Sequence, residues 1–297
     1  MKISIPAIVA CNVLLNVLIP VSARAAAPLV APATPPQAMM ASHRAVYSVS
    51  LTATRPGGDF VDVSGKMSLE FVDKCDVWKT TQQSLLHTIT GEGGEESSRS
   101  DFTAWESKAG DLYTFSIKQT QNGDVSEFSG SASRAGKDGS GTAEYSKPQH
   151  KNYTLPPHFI FPTAQQIEII EIARKGIRFF GGEMFDGSEG GGASRFNAVI
   201  LKPASVAVLD PSRKNSYISN TLLDGPAYRV RIAFYPPAGA SSGEDDENAS
   251  DSASQPEYEV TMTLHDNGII SDYDYDYQDF SVHGKLEAIK ALPRPHC

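Results

Sequence analysis

Apolar and polar residues alternate one by one over much of this 297-residue chain. In the clearest stretch the apolar side chains share one face of a β-strand: Val61, Val63, Met67, Leu69 and Phe71. Segments of similar character lie at 45–52, 78–90, 101–107, 111–121, 125–134, 141–146, 181–185, 194–201, 228–235, 257–265 and 269–282. This pattern predicts a mainly β fold: an antiparallel sandwich, a barrel or an opened variant of a barrel.

Turn-forming residues separate these segments. Gly57-Gly58 and Asn122-Gly123 are typical of tight turns. Asp266-Asn267-Gly268 is the strongest hairpin signal, and we expect a type I′ turn there. Gly65 lies inside a long strand, where it indicates a β-bulge or the close approach of another backbone.

One segment follows helical spacing instead. Four apolar residues recur at intervals of three or four: Ile167, Ile170, Ala173 and Ile177. Thr163 and Gln166 match a capping box, and Gly176 suits a helix C-terminus. The sequence therefore predicts one α-helix at about 163–176. Because two further isoleucines widen its apolar face, we expect the helix to plug or cover a sheet; the alternative is a helix that enters the groove of a partner.

The first 25 residues have the features of a secretory signal peptide. A lysine precedes a mostly apolar segment, and small residues fit cleavage near Ala25/Ala26. The alternative, a lipoprotein box at Cys11, lies too early in the apolar segment. We therefore expect an exported protein with a flexible, Ala/Pro-rich leader at 26–42.

The composition narrows the function classes. A formal net charge of −9 would repel nucleic acid and anionic membrane surfaces. No segment after the signal approaches the ~20 apolar residues of a transmembrane helix, so we expect no membrane-spanning helix. An acidic, Ser- and Gly-rich stretch at about 238–255 cannot bury enough apolar surface to become ordered, and we expect a disordered insertion there.

Motifs for catalysis and metal binding lack the context that they need. Gly239-Ala240-Ser241-Ser242-Gly243 fits a nucleophile elbow, but no strand precedes it and no helix follows it. Asp272, Asp274 and Asp276 resemble the start of a calcium loop, but Tyr277 stands where that loop needs glycine. On a strand, the same spacing places carboxylates on one face and tyrosines on the other. The seven histidines show no metal-binding spacing, so we assign no catalytic residue, cofactor or metal ligand.

Two tryptophans and two cysteines complete the candidate residues. Trp78 and Trp105 either line a ligand groove or pack against the sheet. Once Cys11 is removed with the signal, Cys75 and Cys297 are the remaining cysteines. In an oxidising compartment such a pair would tie the last residue to the first part of the fold. Metal ligation is the weaker alternative, because no second cysteine or suitable histidine is nearby.

Short elements along the chain follow a recognisable order. They are His43-Arg44-Ala45-Val46-Tyr47, Asp73-Lys74-Cys75-Asp76-Val77-Trp78, Trp105-Glu106-Ser107, Leu155-Pro156, Phe161-Pro162, Phe185-Asp186-Gly187, Asp266-Asn267-Gly268, Tyr277-Gln278-Asp279-Phe280 and Leu292-Pro293-Arg294-Pro295-His296-Cys297. This series resembles the EipB family of periplasmic envelope-integrity proteins, long catalogued as a domain of unknown function. The resemblance extends from about His43 to Cys297, and it departs from the family at the acidic insertion and at Val77, where glycine is expected.

The resemblance implies a single domain at 43–297 that forms an antiparallel β-spiral, or incompletely closed β-barrel, with one α-helix. It also implies a disulfide between Cys75 and Cys297. Such a bond would act as a clasp between the two ends of a sheet that does not fully close.

For function, the resemblance implies a non-enzymatic periplasmic role in cell envelope integrity, with no cofactor. The leading hypothesis is a binding or scaffold protein whose spiral offers a groove or a free strand edge to an envelope protein, peptide, lipid or glycan. One alternative is a cell-wall or lipid-directed hydrolase whose active site is not visible in the sequence. The other is a calcium-dependent binding module that uses Asp272, Asp274 and Asp276.

Overall fold

The computed structural model describes residues 40–135, 139–187, 192–204, 220–237 and 255–297. The strands in these ranges are β1 (His43–Thr54), β2 (Phe60–Lys74), β3 (Val77–Thr90), β4 (Glu95–Ser107), β5 (Leu112–Gln121), β6 (Asp124–Arg134), β7 (Gly141–Lys147), β8 (Lys151–Leu155), β9 (Phe179–Met184), β10 (Ser194–Ala204), β11 (Ala227–Tyr235), β12 (Tyr258–His265), β13 (Ile270–Tyr277) and β14 (Phe280–Ala291). The helices are α1 (Pro162–Arg174) and the short α2 (Asn220–Leu223).

All fourteen of these strands belong to one sheet. Its order is β8-β7-β6-β5-β4-β3-β2-β1-β14-β13-β12-β11-β10-β9, and neighbouring strands run antiparallel. The sheet is thus two meanders, which the pairing of β1 with β14 joins in the middle. The edges β8 and β9 follow each other in the chain on either side of α1. This open antiparallel sheet confirms the predicted mainly β fold.

The two edges of the sheet approach each other at one point. The backbone N–H of Ile160 donates to the Glu183 carbonyl at 2.9 Å, and the Phe185 N–H donates to the Ile160 carbonyl at 3.0 Å. Phe159 and Phe161, on either side of this bridge, are fully buried. Among the described residues, Ile160 is the bridging residue that ties β9 to the segment after β8, and β8 and β9 do not themselves pair.

Two large hydrophobic clusters support the sheet. The first is built mainly on β10–β13, β1 and α1, and its fully buried members include Ala45, Ile170, Val230 and Ile269. The second is rich in aromatic residues and fills the end near β5–β8; it includes Tyr113, Phe115, Phe159, Phe161 and Phe185. Their rings meet edge-on or stacked, with Tyr113 and Phe161 centroids 5.1 Å apart.

Helix α1 begins at Pro162 with a cap that the sequence pattern did not indicate. The N-cap is Phe161, and no side chain of the helix caps it, so the predicted capping box of Thr163 and Gln166 is wrong. Instead, the carboxylate of Glu106 on β4 accepts hydrogen bonds from the backbone N–H groups of Thr163 at 2.7 Å and Ala164 at 2.8 Å. A distant strand thus supplies the acceptor that an N-terminal serine or threonine usually provides.

The C-terminus of α1 matches its sequence signal. Gly176 has a φ of +71°, and its N–H donates to the Ala173 carbonyl while the Ile177 N–H donates to the Ile172 carbonyl. This is a Schellman motif, in which glycine adopts the left-handed conformation without a steric penalty. The helix buries isoleucines at 169 and 170 against the sheet, in contact with β9 and β10. The prediction that it covers a sheet is confirmed.

The hairpin between β12 and β13 forms where the sequence predicts it, but with another turn. The Gly268 N–H donates to the His265 carbonyl, and the His265 N–H donates to the Ile269 carbonyl. Within the loop 266–268, only Gly268 has a positive φ, of +83°. A type I′ turn needs two such residues, so that prediction is wrong. The pair with positive φ at both positions is instead Asn122-Gly123, between β5 and β6.

Three further predictions differ in detail. The segment 269–282, read as one strand, is divided between β13 and β14, which continues to Ala291. Gly65 lies in a regular stretch of the β2–β3 register, and a Cβ there would collide with the Leu85 carbonyl, so it marks a close approach and not a bulge. Residues 40–42 of the expected leader are packed: Met40 is buried and covers Gly268.

The signal peptide, most of the leader, the acidic insertion up to residue 254 and the Gly239–Gly243 motif lie outside the described residues. In the part of the chain that the structure describes, no helix has the length and apolar character needed to cross a membrane.

Candidate functional site

A cavity of about 570 Å³ lies on the inner face of the sheet. Strands β1–β3 line one side, β12–β14 line the other, and the first turns of α1 contribute Pro162, Thr163 and Gln166. Its volume is in the range of about 300–1,000 Å³ that is usual for small-molecule sites. No lysine, arginine, aspartate or glutamate side chain is among its described lining residues.

Most of the lining is apolar or aromatic. Aliphatic side chains come from both halves of the sheet, and they include Met67, Leu69, Leu86, Val260, Met262 and Ile270. Two methionines on facing strands give the wall adaptable shape, because their side chains are unbranched and polarisable. This part of the cavity suits an apolar ligand.

A row of tyrosines forms one wall. Tyr273, Tyr275 and Tyr277 alternate on β13 and point inward, and Tyr258 of β12 lies beside them, with ring centroids 6.1 Å from Tyr275 and 6.0 Å from Tyr277. Burial raises the pKa of Tyr258 and Tyr275 far above the ordinary value of a phenol. These hydroxyls therefore stay protonated and neutral.

The carboxylates between these tyrosines point to the opposite face of β13. Arg229 donates to both Asp272 and Asp274, and Arg55 donates to Asp276 at 3.1 Å. The strand interpretation of this segment agrees with the geometry, and protein cations bind the carboxylates that a calcium ion would need. Across the described ranges, no cluster of three or more His, Cys, Asp or Glu side chains could hold a metal ion.

Strand β3 gives the cavity a polar side. Thr80, Gln82 and Ser84 alternate on its inner face and line the cavity. Within the described residues, their side chains have no hydrogen-bond partner in the protein. The cavity is therefore amphipathic along its length, with uncharged hydrogen-bonding groups on one side and aromatic and aliphatic groups on the other.

His43 adds one buried acceptor to this polar side. It is 3% exposed and lines the cavity. Its Nδ1 lies 2.7 Å from the Ala41 carbonyl, which can only accept, so Nδ1 carries the proton. Burial lowers the pKa of His43, so the ring is neutral and Nε2 is an acceptor. Nε2 is buried and has no partner.

Glu106 lies close to the cavity, beneath the first turn of α1. It is 4% exposed, and burial raises its pKa to about 7 although two backbone N–H groups favour the charged form. Because Thr163 binds Glu106 and lines the cavity, the protonation of this carboxyl group bears on the helix that contributes to the cavity wall. Sequence reasoning missed this residue, although Phe102, Ala104 and Glu106 share the inner face of β4.

The two tryptophans lie outside the cavity lining. Trp78 stacks on Phe71 with ring centroids 5.4 Å apart, and the Lys108 ammonium lies 4.0 Å from the Trp78 ring. Trp105 is 40% exposed on the outer face of β4, with Lys79 Nζ 5.1 Å from its ring. Trp78 thus packs beside the cavity residue Phe71 on the same face of the sheet, whereas Trp105 faces away from the core.

Cys75 and Cys297 are bonded in the structure, with sulfur atoms 2.13 Å and Cα atoms 5.8 Å apart. Cys75 lies in the turn between β2 and β3, and Cys297 follows β14. The free edges of the sheet are β8 and β9, so the idea that this bond joins the two ends of the sheet is wrong. The bond spans the middle of the sheet, across β14, β1 and β2.

The EipB-like family profile matches residues 35–293. The chain belongs to the EipB-like family. It is 26% identical over 246 residues to the cell envelope integrity protein EipB of Brucella abortus (strain 2308), covering 82% of this chain and 81% of that protein.

A solved structure has a similar fold. The crystal structure of a beta-barrel-like protein of domain of unknown function DUF1849 from Brucella abortus aligns with a TM-score of 0.73. The alignment covers 86% of this chain and 100% of that one, at 22% identity. At this identity the likeness establishes the fold.

The disulfide can be tested by removing one partner. A cross-link over 222 residues constrains the unfolded chain by roughly 5 kcal/mol on the chain-entropy model. We expect Cys297→Ser to lower the melting temperature markedly, and reduced wild type to melt with the variant. Mass spectrometry of the oxidised wild type checks the bond. Equal melting of the variant and the bonded wild type would contradict the prediction.

Glu106 predicts a particular pH dependence of stability. Its folded pKa of about 7 exceeds the ordinary value of 4.5. Its contribution to the free energy of unfolding is therefore full below about pH 4.5 and is lost as pH rises through 7. At ~1.36 kcal/mol per pH unit, the loss is about 3 kcal/mol. Glu106→Gln keeps the shape and does not titrate. The difference in unfolding free energy between wild type and Glu106→Gln, from urea titrations near pH 5 and near pH 8, should change by about this amount; a constant difference contradicts it.

Proposed function

We propose that this protein is a non-enzymatic periplasmic protein that supports cell envelope integrity by binding an envelope component. The bound part is apolar and uncharged, and it lies in the cavity between β1–β3 and β12–β14. The observation that carries this proposal is the cavity itself: about 570 Å³, lined by aromatic and aliphatic side chains and by no charged side chain among the described residues.

The absence of charge in this lining favours binding over hydrolysis. A charged ligand group would have to leave water and would find no counterion in the cavity lining, which costs several kcal/mol. The one imidazole that lines the cavity is neutral, and its hydrogen bond runs to the Ala41 carbonyl. No described hydrogen bond joins His43 to a hydroxyl nucleophile, as an acyl-transfer mechanism requires.

The envelope role and the location come from the relatives. The EipB-like protein of Brucella abortus is named for cell envelope integrity, and it aligns over 82% of this chain. The expected signal peptide at 1–25 and the bond between Cys75 and Cys297 both suit an oxidising periplasm. The proposal combines this location with a cavity that is preformed in the fold.

Filling the cavity should weaken apolar binding. Met67 and Ser68 are neighbours on β2 with opposite orientations, and only Met67 lines the cavity. We expect wild type to bind the uncharged dye N-phenylnaphthylamine, Met67→Trp to bind it about tenfold more weakly, and Ser68→Trp to bind it as wild type does. Fluorescence titration measures these affinities. No binding by wild type, or equal loss in both variants, would contradict the proposal.

The same pair of variants tests the cellular role. In a deletion strain of the bacterial host, we expect the Ser68→Trp protein to restore growth on deoxycholate and the Met67→Trp protein to fail, at equal periplasmic levels by immunoblot. Full rescue by Met67→Trp would separate envelope integrity from the cavity and so contradict the proposal.

A further inference from the structure

The polar side of the cavity has a regular repeat. Thr80, Gln82 and Ser84 occupy every second position of β3, so their side chains recur at about 6.6 Å and extend over about 13 Å. Each can donate and accept hydrogen bonds, and none has a protein partner among the described residues. Such side chains favour a ligand that carries hydrogen-bonding groups at the same spacing.

We infer that the ligand is an extended, uncharged peptide segment with apolar side chains, which lies along β3 and hydrogen-bonds through its backbone to Thr80, Gln82 and Ser84. This inference rests on the proposed function, because it names the class of ligand for the same cavity. An extended backbone presents N–H and C=O groups on each side with a two-residue repeat, which matches the spacing on β3.

The side chains of such a peptide point alternately toward two faces. One set meets the tyrosine wall of Tyr258, Tyr275 and Tyr277, whose neutral rings pack well against aliphatic and aromatic groups. The adaptable Met67 and Met262 accommodate different side chains in the same wall. Peptides that bind in an extended, strand-like form gain affinity from backbone hydrogen bonds, while the pockets for their side chains set the specificity. A wall that adapts its shape would make this side-chain specificity loose.

His43 supplies the acceptor at one end of this arrangement. It pairs with Phe71 on β2, and Phe71 pairs with Thr80 on β3, so His43 lies in the same row across the sheet as the first polar residue. Its Nε2 is buried without a donor among the described residues, so a small movement of the cavity wall would let it accept one peptide N–H. The absence of charged side chains in the described lining excludes a peptide with ionised groups in this stretch.

A lipid tail fits the same volume less well. An acyl chain carries no hydrogen-bonding groups, so it would remove water from Thr80, Gln82 and Ser84 without replacing it. Each polar group left unsatisfied in this way weakens binding. A hydroxyl or amide at one end of a lipid would satisfy one of these residues and leave the others.

The chain offers a matched pair of variants for the test. Thr80→Val with Gln82→Leu removes the hydrogen-bonding groups on the inner face and keeps their size. Thr81→Val with Gln83→Leu makes the same changes one position along, on the outer face. The probes are a short blocked peptide of alternating valine and threonine, the same peptide with alternate N-methyl groups, and a long-chain fatty alcohol, each measured by displacement of N-phenylnaphthylamine.

We expect the peptide to displace the dye from wild type and from the outer-face variant, and to bind the inner-face variant about tenfold more weakly or worse. The N-methylated peptide should be similarly weakened on wild type, and the fatty alcohol should bind the inner-face variant as tightly as wild type or more tightly. Displacement by the fatty alcohol alone, or equal effects of the two variants, overturns the inference and leaves the proposed cavity function standing. Failure of the dye to bind wild type overturns both.

Discussion

The pairing of β1 with β14 is the contact on which the rest of this structure depends. Each half of the chain folds into a meander of neighbours in sequence. The long pairing of β1 with β14, with His43 opposite Ala291, joins the two halves, and the Ile160 bridge to β9 adds a short second connection. The cavity lies across the junction, since β1–β3 and β12–β14 supply its two sides. Pairing strands so far apart in sequence carries a large loop-closure entropy. The bond from Cys75 to Cys297 crosses the same junction and offsets part of that entropy.

An open sheet must also protect its two edges. Here the edges are short strands, β8 of five residues and β9 of six, which limits their pairing with other chains. Ile160 bridges to β9 between two buried phenylalanines, and α1 covers the sheet nearby. Glu106 holds the start of α1 through two backbone hydrogen bonds. Burial of the Glu106 carboxyl group lowers stability when the group is charged. The same group fixes the start of α1, which covers the sheet near its edge β9.

The sequence predicts the local features of this fold well. Alternation over 61–71 becomes β2, and Gly176 ends α1 as a left-handed residue. What it does not predict depends on contacts between distant segments. The capping acceptor for α1 comes from Glu106, 57 residues before Thr163, so no local motif could reveal it. The Asp266–Gly268 turn likewise follows its surroundings, because Gly268 lies beneath Met40 and the Asp266 N–H donates to the Pro226 carbonyl.

In the candidate site, too, local patterns can be predicted from the sequence and contacts between distant segments cannot. The tyrosines at 273, 275 and 277 and the aspartates between them can be assigned to opposite faces of a strand from their spacing alone. Which of the two faces encloses a cavity cannot be assigned from the spacing, since it depends on how far the sheet curves. Three strands separate β13 from β3, yet Tyr275 and Gln82 line one cavity, so the curvature of the sheet places an aromatic wall opposite a polar one. The sequence offers Trp78 and Trp105 as candidate groove residues, but the alternation of side chains on β4 turns Trp105 outward.

Neutrality is what makes these two walls compatible. Burial keeps the tyrosine hydroxyls protonated, and it keeps His43 uncharged with Nε2 as an acceptor. A charged group in either wall would have to retain water, and the cavity would then favour ionised ligands. The aspartates of β13 carry charge, and they lie on the outer face with Arg229 and Arg55. The alternation from Asp272 to Tyr277 therefore places two kinds of surface on one strand: ion pairs that hold neighbouring segments together on the outer face, and a neutral aromatic surface toward the cavity.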